Sequence, residues 1–331
     1  MNIKKLFNNE AGVSPIVATL VLVVVAIAGA AAVGTILGSF SSDVSSSASA
    51  EGAAAGASTQ LLIAGSSTVQ PVSELLAKDF MKQNSGIKVT VQAGGSGAGI
   101  TSAKLGIVDI GASSEDVDTI TAYPELQKHQ IGASAVVLIG NGIGNATGTV
   151  PSKAQIKTLF ESADANGKVS DANLTTAGFN TTGSGATLFQ RSETSGTEET
   201  FSYFIHGSSK TWMDGTKAVG KSGNAGVLAA VESTTNSIGF VDFGFAESST
   251  GVVILPVDTM TTTVKKDVKS GIKATLKGET STFPSGLTRP LLYLTNGAPS
   301  TIEKSFIDFA TQPAQKGYFT QVGYFSMYDI L

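Results

Sequence analysis

The sequence predicts an α/β protein, of two compact lobes or one large domain, behind an apolar N-terminal segment. Three observations predict it. From residue 60 to the C-terminus, short apolar runs with strand character alternate with stretches of helical period. That is the pattern of sheets covered by helices on both faces. Clusters of Gly, Ser and Thr fall where those strands end. The chain has 331 residues, more than one small module uses.

The first element is apolar throughout. Residues 11–42 carry no charge, and Ile16–Leu37 is almost wholly aliphatic. At 1.5 Å per residue that run reaches about 33 Å, enough to span a hydrocarbon core. Lys4 and Lys5 precede it and Asp43 and Glu51 follow it, so the N-tail is expected in the cytoplasm and the remainder outside. A cleaved secretory signal is the alternative. Residues 1–40 are thus an expected transmembrane anchor or signal. Residues 41–59 are small and polar without periodicity, the composition of a flexible linker.

Strands are expected at Gln60–Ala64, Ile87–Gln92, Val108–Gly111, Ala135–Ile139, Thr187–Arg191, Ile238–Val241, Val252–Leu255 and Leu291–Leu294. Helices are expected after Val69 and at Ile100–Leu105, Ser152–Glu161, Thr197–Ile205, Gly223–Glu232, Thr301–Phe309 and Pro313–Val322. This alternation implies parallel sheets, whose ligands bind beyond the strand carboxyl ends.

Composition narrows the function. The net charge of −4 argues against a nucleic-acid partner. With no Cys there are no disulfides and no thiolate chemistry. His129 and His206 lie in no catalytic setting and read as structural, so neither a metal nor another cofactor is expected. Charged residues are only 15% of the chain, whereas 74 residues are Ser or Thr. The polar groups are therefore largely hydroxyl and backbone.

Four small-residue turns carry the chemistry: Gly65-Ser-Ser-Thr68, Gly94-Gly-Ser-Gly97, Gly111-Ala-Ser-Ser114, and 191–198 (RSETSGTE). Each can offer backbone N–H groups and hydroxyls near a helix N-terminus, the groups that bind an oxyanion. Arg191 adds a planar cationic fork that matches two anion oxygens. Singly, each turn reads as structural, a helix cap or a plain connection; Ser195 to Glu198 fits a capping box. A nucleotide phosphate loop is not expected, and the dinucleotide and nucleophile-elbow patterns are absent.

Together and in this order, the turns resemble the phosphate-binding subunit of high-affinity phosphate ABC importers, a periplasmic-binding-protein-like family of type II. The motifs are Gly-Ser-Ser-Thr-Val at 65–69, Gly-Gly-Ser-Gly at 94–97, Asp-Ile-Gly-Ala-Ser at 109–113 and Arg-x-x-x-Ser-Gly-Thr at 191–197. Residues 237–245, 289–295 and 305–309 look like later family segments. The resemblance implies two lobes, 60–136 with 250–331 and 137–249, hinged near 133–140 and 240–255. It implies non-covalent capture of phosphate for ABC permease subunits outside the cytoplasm, and no catalysis. The anion would meet Ser67, Thr68 and Val69, then Ser96 and Ser114, then Arg191, Ser195, Gly196 and Thr197, with Glu193 holding Arg191 in plane.

One position departs from the family pattern. Well-known family members place an Asp where this chain has Ser114, to accept the proton of bound phosphate; other branches vary here, and Glu115 or Asp116 is the alternative acceptor in this chain. Another tetrahedral oxyanion (sulfate, molybdate or tungstate) is therefore an alternative ligand. The segment EAGVSPIVATLVLVVVAIA also resembles archaeal pilin-like N-termini, which makes a surface filament or adhesion protein the alternative function. The sequons at Asn145, Asn173 and Asn180 are compatible with that alternative.

Overall fold

The computed structural model describes residues 59–331 except 147, 181 and 208–211. The expected anchor, the pilin-like segment and the expected linker up to residue 58 lie outside the described residues, while Thr59, expected in the linker, begins a strand. Among the described residues, no helix is long and apolar enough to cross a membrane.

The expected alternation is present, and it forms one mixed sheet. Its strands are β1 (Thr59–Gly65), β2 (Ile87–Ala93), β3 (Ile110–Ser113), β4 (Leu126–Asn141), β5 (Lys168–Val169), β6 (Ala186–Arg191), β7 (Val219–Lys221), β8 (Ser237–Asp242), β9 (Val253–Leu255), β10 (Thr288–Asn296) and β11 (Phe325–Ser326). The main order is β2-β1-β3-β10-β4-β8-β6-β5, with β9 and β11 also on β4 and β7 on β6. β1 pairs in parallel with β2 and β3, and β6 with β7 and β8.

The expectation of parallel sheets needs correction at the centre. β10 is antiparallel to β3 and β4, and β4 is antiparallel to β8 and β9. A parallel neighbour needs a crossover connection, usually a helix. No helix separates β3 from β4, and β4 runs for 16 residues through both halves of the sheet. Alternation read from sequence shows the elements, not the direction in which a long strand returns.

The two largest apolar clusters among the described residues flank this central strand. The first collects Leu61, Ile63, Val72, Leu76, Phe80, Ile110, Leu291, Tyr293 and Phe306. Helix Gln70–Gln83 turns Val72, Leu76 and Phe80 inward at helical spacing, each contributing about 1.5–3 kcal/mol by burial. Phe80 meets Phe306 edge-on at 5.2 Å, and the Tyr293 hydroxyl shares a 2.7 Å hydrogen bond with Ser73.

The second core collects Val137, Ile139, Ile156, Phe160, Leu188, Phe201 and Phe240, with Phe201 stacked on Phe240 at 4.3 Å. It also takes Val252, Leu255, Val268, Ile272, Phe283 and Leu287, although the sequence placed 250–331 in the first lobe. Helix Lys265–Leu276, which the sequence reading missed, supplies Val268 and Ile272. It is Lys-rich, with few apolar residues to mark its period. The chain is back in the first core only with β10, through Leu291 and Tyr293.

Candidate functional site

The first half of the site is a backbone crossing that only glycine allows. Gly65 ends β1 at φ +139°, and a Cβ there would lie 2.2 Å from the Ala112 carbonyl and 2.7 Å from Gly99 Cα. The Gly65 carbonyl accepts from the N–H groups of Gly94 and Gly95, which ties the first turn to the second. Helix Ser96–Lys104 starts inside the second turn, several residues before the expected Ile100. Ser66 donates to Ser114 Oγ at 2.8 Å, and Ser96 Oγ accepts from Ser114 N at 3.1 Å. Three of the four turns thus meet at one point.

The fourth turn comes from the other lobe. β6 ends at Arg191, and helix Gly196–His206 follows with Ser195 as its cap. Ser195 Oγ accepts from Thr197 N at 3.1 Å and Glu198 N at 3.4 Å. Arg191 is 3% exposed. Glu193 holds it by contacts to Nε and Nη2, and accepts from Gly223 N at 3.0 Å. Burial lowers the pKa of the Arg191 guanidinium and Glu193 opposes that shift. Arginine remains charged under such perturbation.

The two halves touch along a seam. Arg191 Nη2 donates to Ser67 Oγ at 3.1 Å, and the Thr68 and Thr197 hydroxyls stand 3.4 Å apart. A Cβ on Gly95 would lie 2.5 Å from the Thr194 carbonyl, and one on Gly196 would lie 2.7 Å from Ser114 Oγ.

Of the expected ligand residues, Ser67, Thr68, Ser96, Ser114, Arg191, Gly196 and Thr197 come together at this seam. Ser195 sits behind it as a helix cap. Val69 is also set back, because Thr68 N and Val69 N both point to Ser66 Oγ, at 3.1 and 3.4 Å.

Sequence reasoning missed three residues at the seam. Arg289, in β10, donates from Nη1 to Thr197 Oγ1 at 3.0 Å and from Nη2 to Thr68 Oγ1 at 2.9 Å. Asp242, at the end of β8, receives Arg289 Nη2 at 2.7 Å, Ser134 Oγ at 2.8 Å and Gly244 N at 3.0 Å. Asn224 donates to Thr68 Oγ1 at 2.8 Å and accepts from Asp242 N at 3.0 Å. A signal for two of them was available. Arg289 is the only charge between Glu279 and Glu303, and Asp242 the only one between Glu232 and Glu247. A lone charge inside an apolar strand demands a partner. Asn224 gave no such signal.

The expectation of no nucleotide loop rests on an absent Gly-x4-Gly-Lys-Ser/Thr spacing, and that basis needs correction. Residues 215–222 (GTKAVGKS) do fit the Gly-x4-Gly-Lys-Ser spacing. A phosphate loop needs its strand before the first glycine. Here β7 occupies 219–221, inside the motif, and Gly215 closes a short 3-10 turn. The spacing is met without the geometry. His129 shares a 3.0 Å hydrogen bond with Thr295, and His206 stacks on Trp212. Among the described residues, no three His, Asp or Glu side chains group to hold a metal.

Two lobes share a central strand, and two buried arginines and a row of hydroxyls stand at their seam, an arrangement of the two-lobed α/β class. The chain belongs to the PBP superfamily domain family, which matches residues 50–314. It is 27% identical over 282 residues to the phosphate-binding protein PstS of Bacillus subtilis, covering 82% of each chain. It is 28% identical over 204 residues to PstS of Xylella fastidiosa, covering 57% of this chain and 55% of that one. Two solved structures share the fold. One is a candidate phosphate ABC transporter substrate-binding protein of Clostridium perfringens with bound phosphate; its TM-score is 0.64 at 20% identity, over 81% of this chain and all of that one. The other is an ABC-type phosphate transport receptor of Vibrio cholerae; its TM-score is 0.57 at 20% identity, over 80% and 99%.

Proposed function

We propose that this protein captures inorganic phosphate outside the cytoplasm and hands it to the permease subunits of an ABC importer. The observation that carries the reading is the meeting of Arg191 and Arg289 with the hydroxyls of Ser67, Thr68 and Thr197 at the lobe seam. Two buried guanidinium groups flanked by neutral donors suit a small dianion. The similarity to phosphate-binding relatives supports phosphate as that dianion.

In this reading the ligand is held without covalent chemistry. Ser67, Thr68, Ser96 and Ser114 serve from one lobe, and Arg191, Gly196 and Thr197 from the other. Ser195 and the Val69 turn support them from behind. Arg289, held by Asp242, is a further cation of the site. Rotation of the lobes about β4 would open and close the seam. The apolar N-terminal segment would anchor the chain at the outer face of the membrane, which membrane fractionation of cells producing the full chain would test.

Isothermal titration of the full-length chain with phosphate is expected to give one site per chain. Arg191→Ala should weaken that site at least about tenfold, since a charge-assisted bond is lost. No binding of phosphate by the folded wild-type chain would overturn the proposal.

A further inference from the structure

We infer that Glu198 couples phosphate capture to a proton: acting through Arg191, it takes up a proton as the anion binds and sheds it as the anion leaves. This rests on reading the seam as the phosphate site.

Glu198 stands directly behind that seam. It follows Thr197, whose hydroxyl faces Thr68 across the lobes. Its N–H donates to Ser195 Oγ, which fixes it in the first turn of helix Gly196–His206 with little of its surface exposed. Its carboxyl takes a backbone hydrogen bond from Arg191, whose guanidinium reaches Ser67. The second carboxyl oxygen, Oε2, is buried and has no hydrogen-bond partner.

A bare buried oxygen is far cheaper on a neutral acid than on a carboxylate. The first turn of a helix ordinarily favours the ionised form. Here burial overrides it: burial first and Asp214 next push the pKa up to about 8, Arg191 opposes them and Glu193 adds to them.

The charges around the carboxyl are therefore Arg191 at the end of β6, Glu193 in the turn and Asp214 in the 3-10 turn Met213–Gly215. Helix Lys153–Glu161 packs alongside through Phe160 on Phe201; its Lys153 lies over Phe204, and its Lys157 pairs with Glu161. The 3-10 turn Ser285–Leu287 carries no ionisable group, and Asp242 of β8 is held by Arg289. On its own helix, Glu199 is partly exposed and His206 stacks on Trp212 at the far end.

Arg191 with Glu193, and Arg289 with Asp242, already cancel in charge. A dianion at the seam is then an uncancelled charge beside Glu198, and it makes ionisation of that carboxyl costlier still. The coupling is reciprocal: the ionised carboxylate weakens the anion by the factor by which the anion favours the acid. At low pH Glu198 already holds its proton, and capture is insensitive to pH through this group. Once pH rises through its titration, capture must draw a proton from solvent onto Glu198, and affinity falls.

The test is titration calorimetry of the full-length chain and of Glu198→Gln with phosphate, from about pH 6.5 to about pH 9.5. Gln stands for the protonated acid and does not titrate, while the ligand's own protonation is common to both chains. The ratio of wild-type to variant affinity is expected to fall at least about fivefold across that range. At about pH 8.5, two buffers of different ionisation enthalpy should show the wild type taking up about half a proton more per anion than the variant. Parallel pH profiles with equal proton uptake would overturn the coupling and leave phosphate capture standing. No binding of phosphate by the folded wild type would overturn both. Where the variant does not fold, infrared spectra of the wild type at about pH 9 decide the matter. Adding phosphate should raise a protonated-carboxyl band, and its absence would overturn the coupling.

Discussion

Asp242 and Arg289 form a buried ion pair where the two halves of the sheet meet, with Oδ2 and Nη2 2.7 Å apart. Asp242 closes β8 and caps helix Phe243–Ser248, while Arg289 lies in β10. The same guanidinium reaches the hydroxyls of Thr68 and Thr197. One residue pair therefore links the folding of the central sheet to the geometry of the seam.

Removing one partner of such a pair strands the other as an uncompensated buried charge. Asp242→Ala is expected to cost about 3–5 kcal/mol of stability, measured by urea denaturation. Asp242→Asn keeps the shape and should cost less, because its amide oxygen still accepts from Arg289. Equal losses in the two variants would show that the charge, which both lack, accounts for the whole effect and the retained amide oxygen for none of it.

At Gly196, by contrast, stability and binding separate. A Cβ there would lie 2.7 Å from both the carbonyl carbon and the Oγ of Ser114, across the seam. Within its own helix, alanine is better tolerated than glycine. Gly196→Ala should therefore leave the circular dichroism spectrum intact and weaken phosphate binding at least about tenfold, by holding the lobes apart. Titration calorimetry would read this, and unchanged affinity would mean that closure does not bring these atoms so near.

Glu198 should make stability depend on pH. It lies in the first turn of helix Gly196–His206 and is 7% exposed. Burial and then the neighbouring Asp214 raise its pKa from 4.5 to about 8; Glu193 adds to this and Arg191 opposes it. The folded chain then keeps a proton that the unfolded chain releases at lower pH. Its contribution is fully present below the unfolded value and is lost as pH rises through the folded one. Glu198→Gln removes that dependence. Melting curves from about pH 5 to about pH 9 should show the variant gaining on the wild type as pH rises. A constant difference would mean that Glu198 is already ionised in the folded protein.

The sequence was most legible where local rules act. Helix Gln70–Gln83 shows its period in Val72, Leu76 and Phe80, and β2 shows its alternation in Ile87–Gln92. The four turns are legible as a set and in their order, since singly each glycine and hydroxyl cluster at a strand end also reads as a helix cap. Ser67, Thr68, Ser96, Ser114, Arg191, Gly196 and Thr197 were accessible in this way. Helix Lys265–Leu276 was not, since its buried side consists of little more than Val268 and Ile272.

By itself the sequence determined the α/β class, the turns and the identity of one arginine, because these depend on residues close together in the chain. Only the tertiary structure decided the antiparallel centre of the sheet, the return of 252–287 to the second core, and the place of Arg289, Asp242 and Asn224. Arg289 stands 221 residues from Thr68 and 92 from Thr197, yet bonds to both. No periodicity links positions that far apart. What joins them is the requirement that a buried charge and a buried hydroxyl find partners, and that requirement is met only once the lobes are packed.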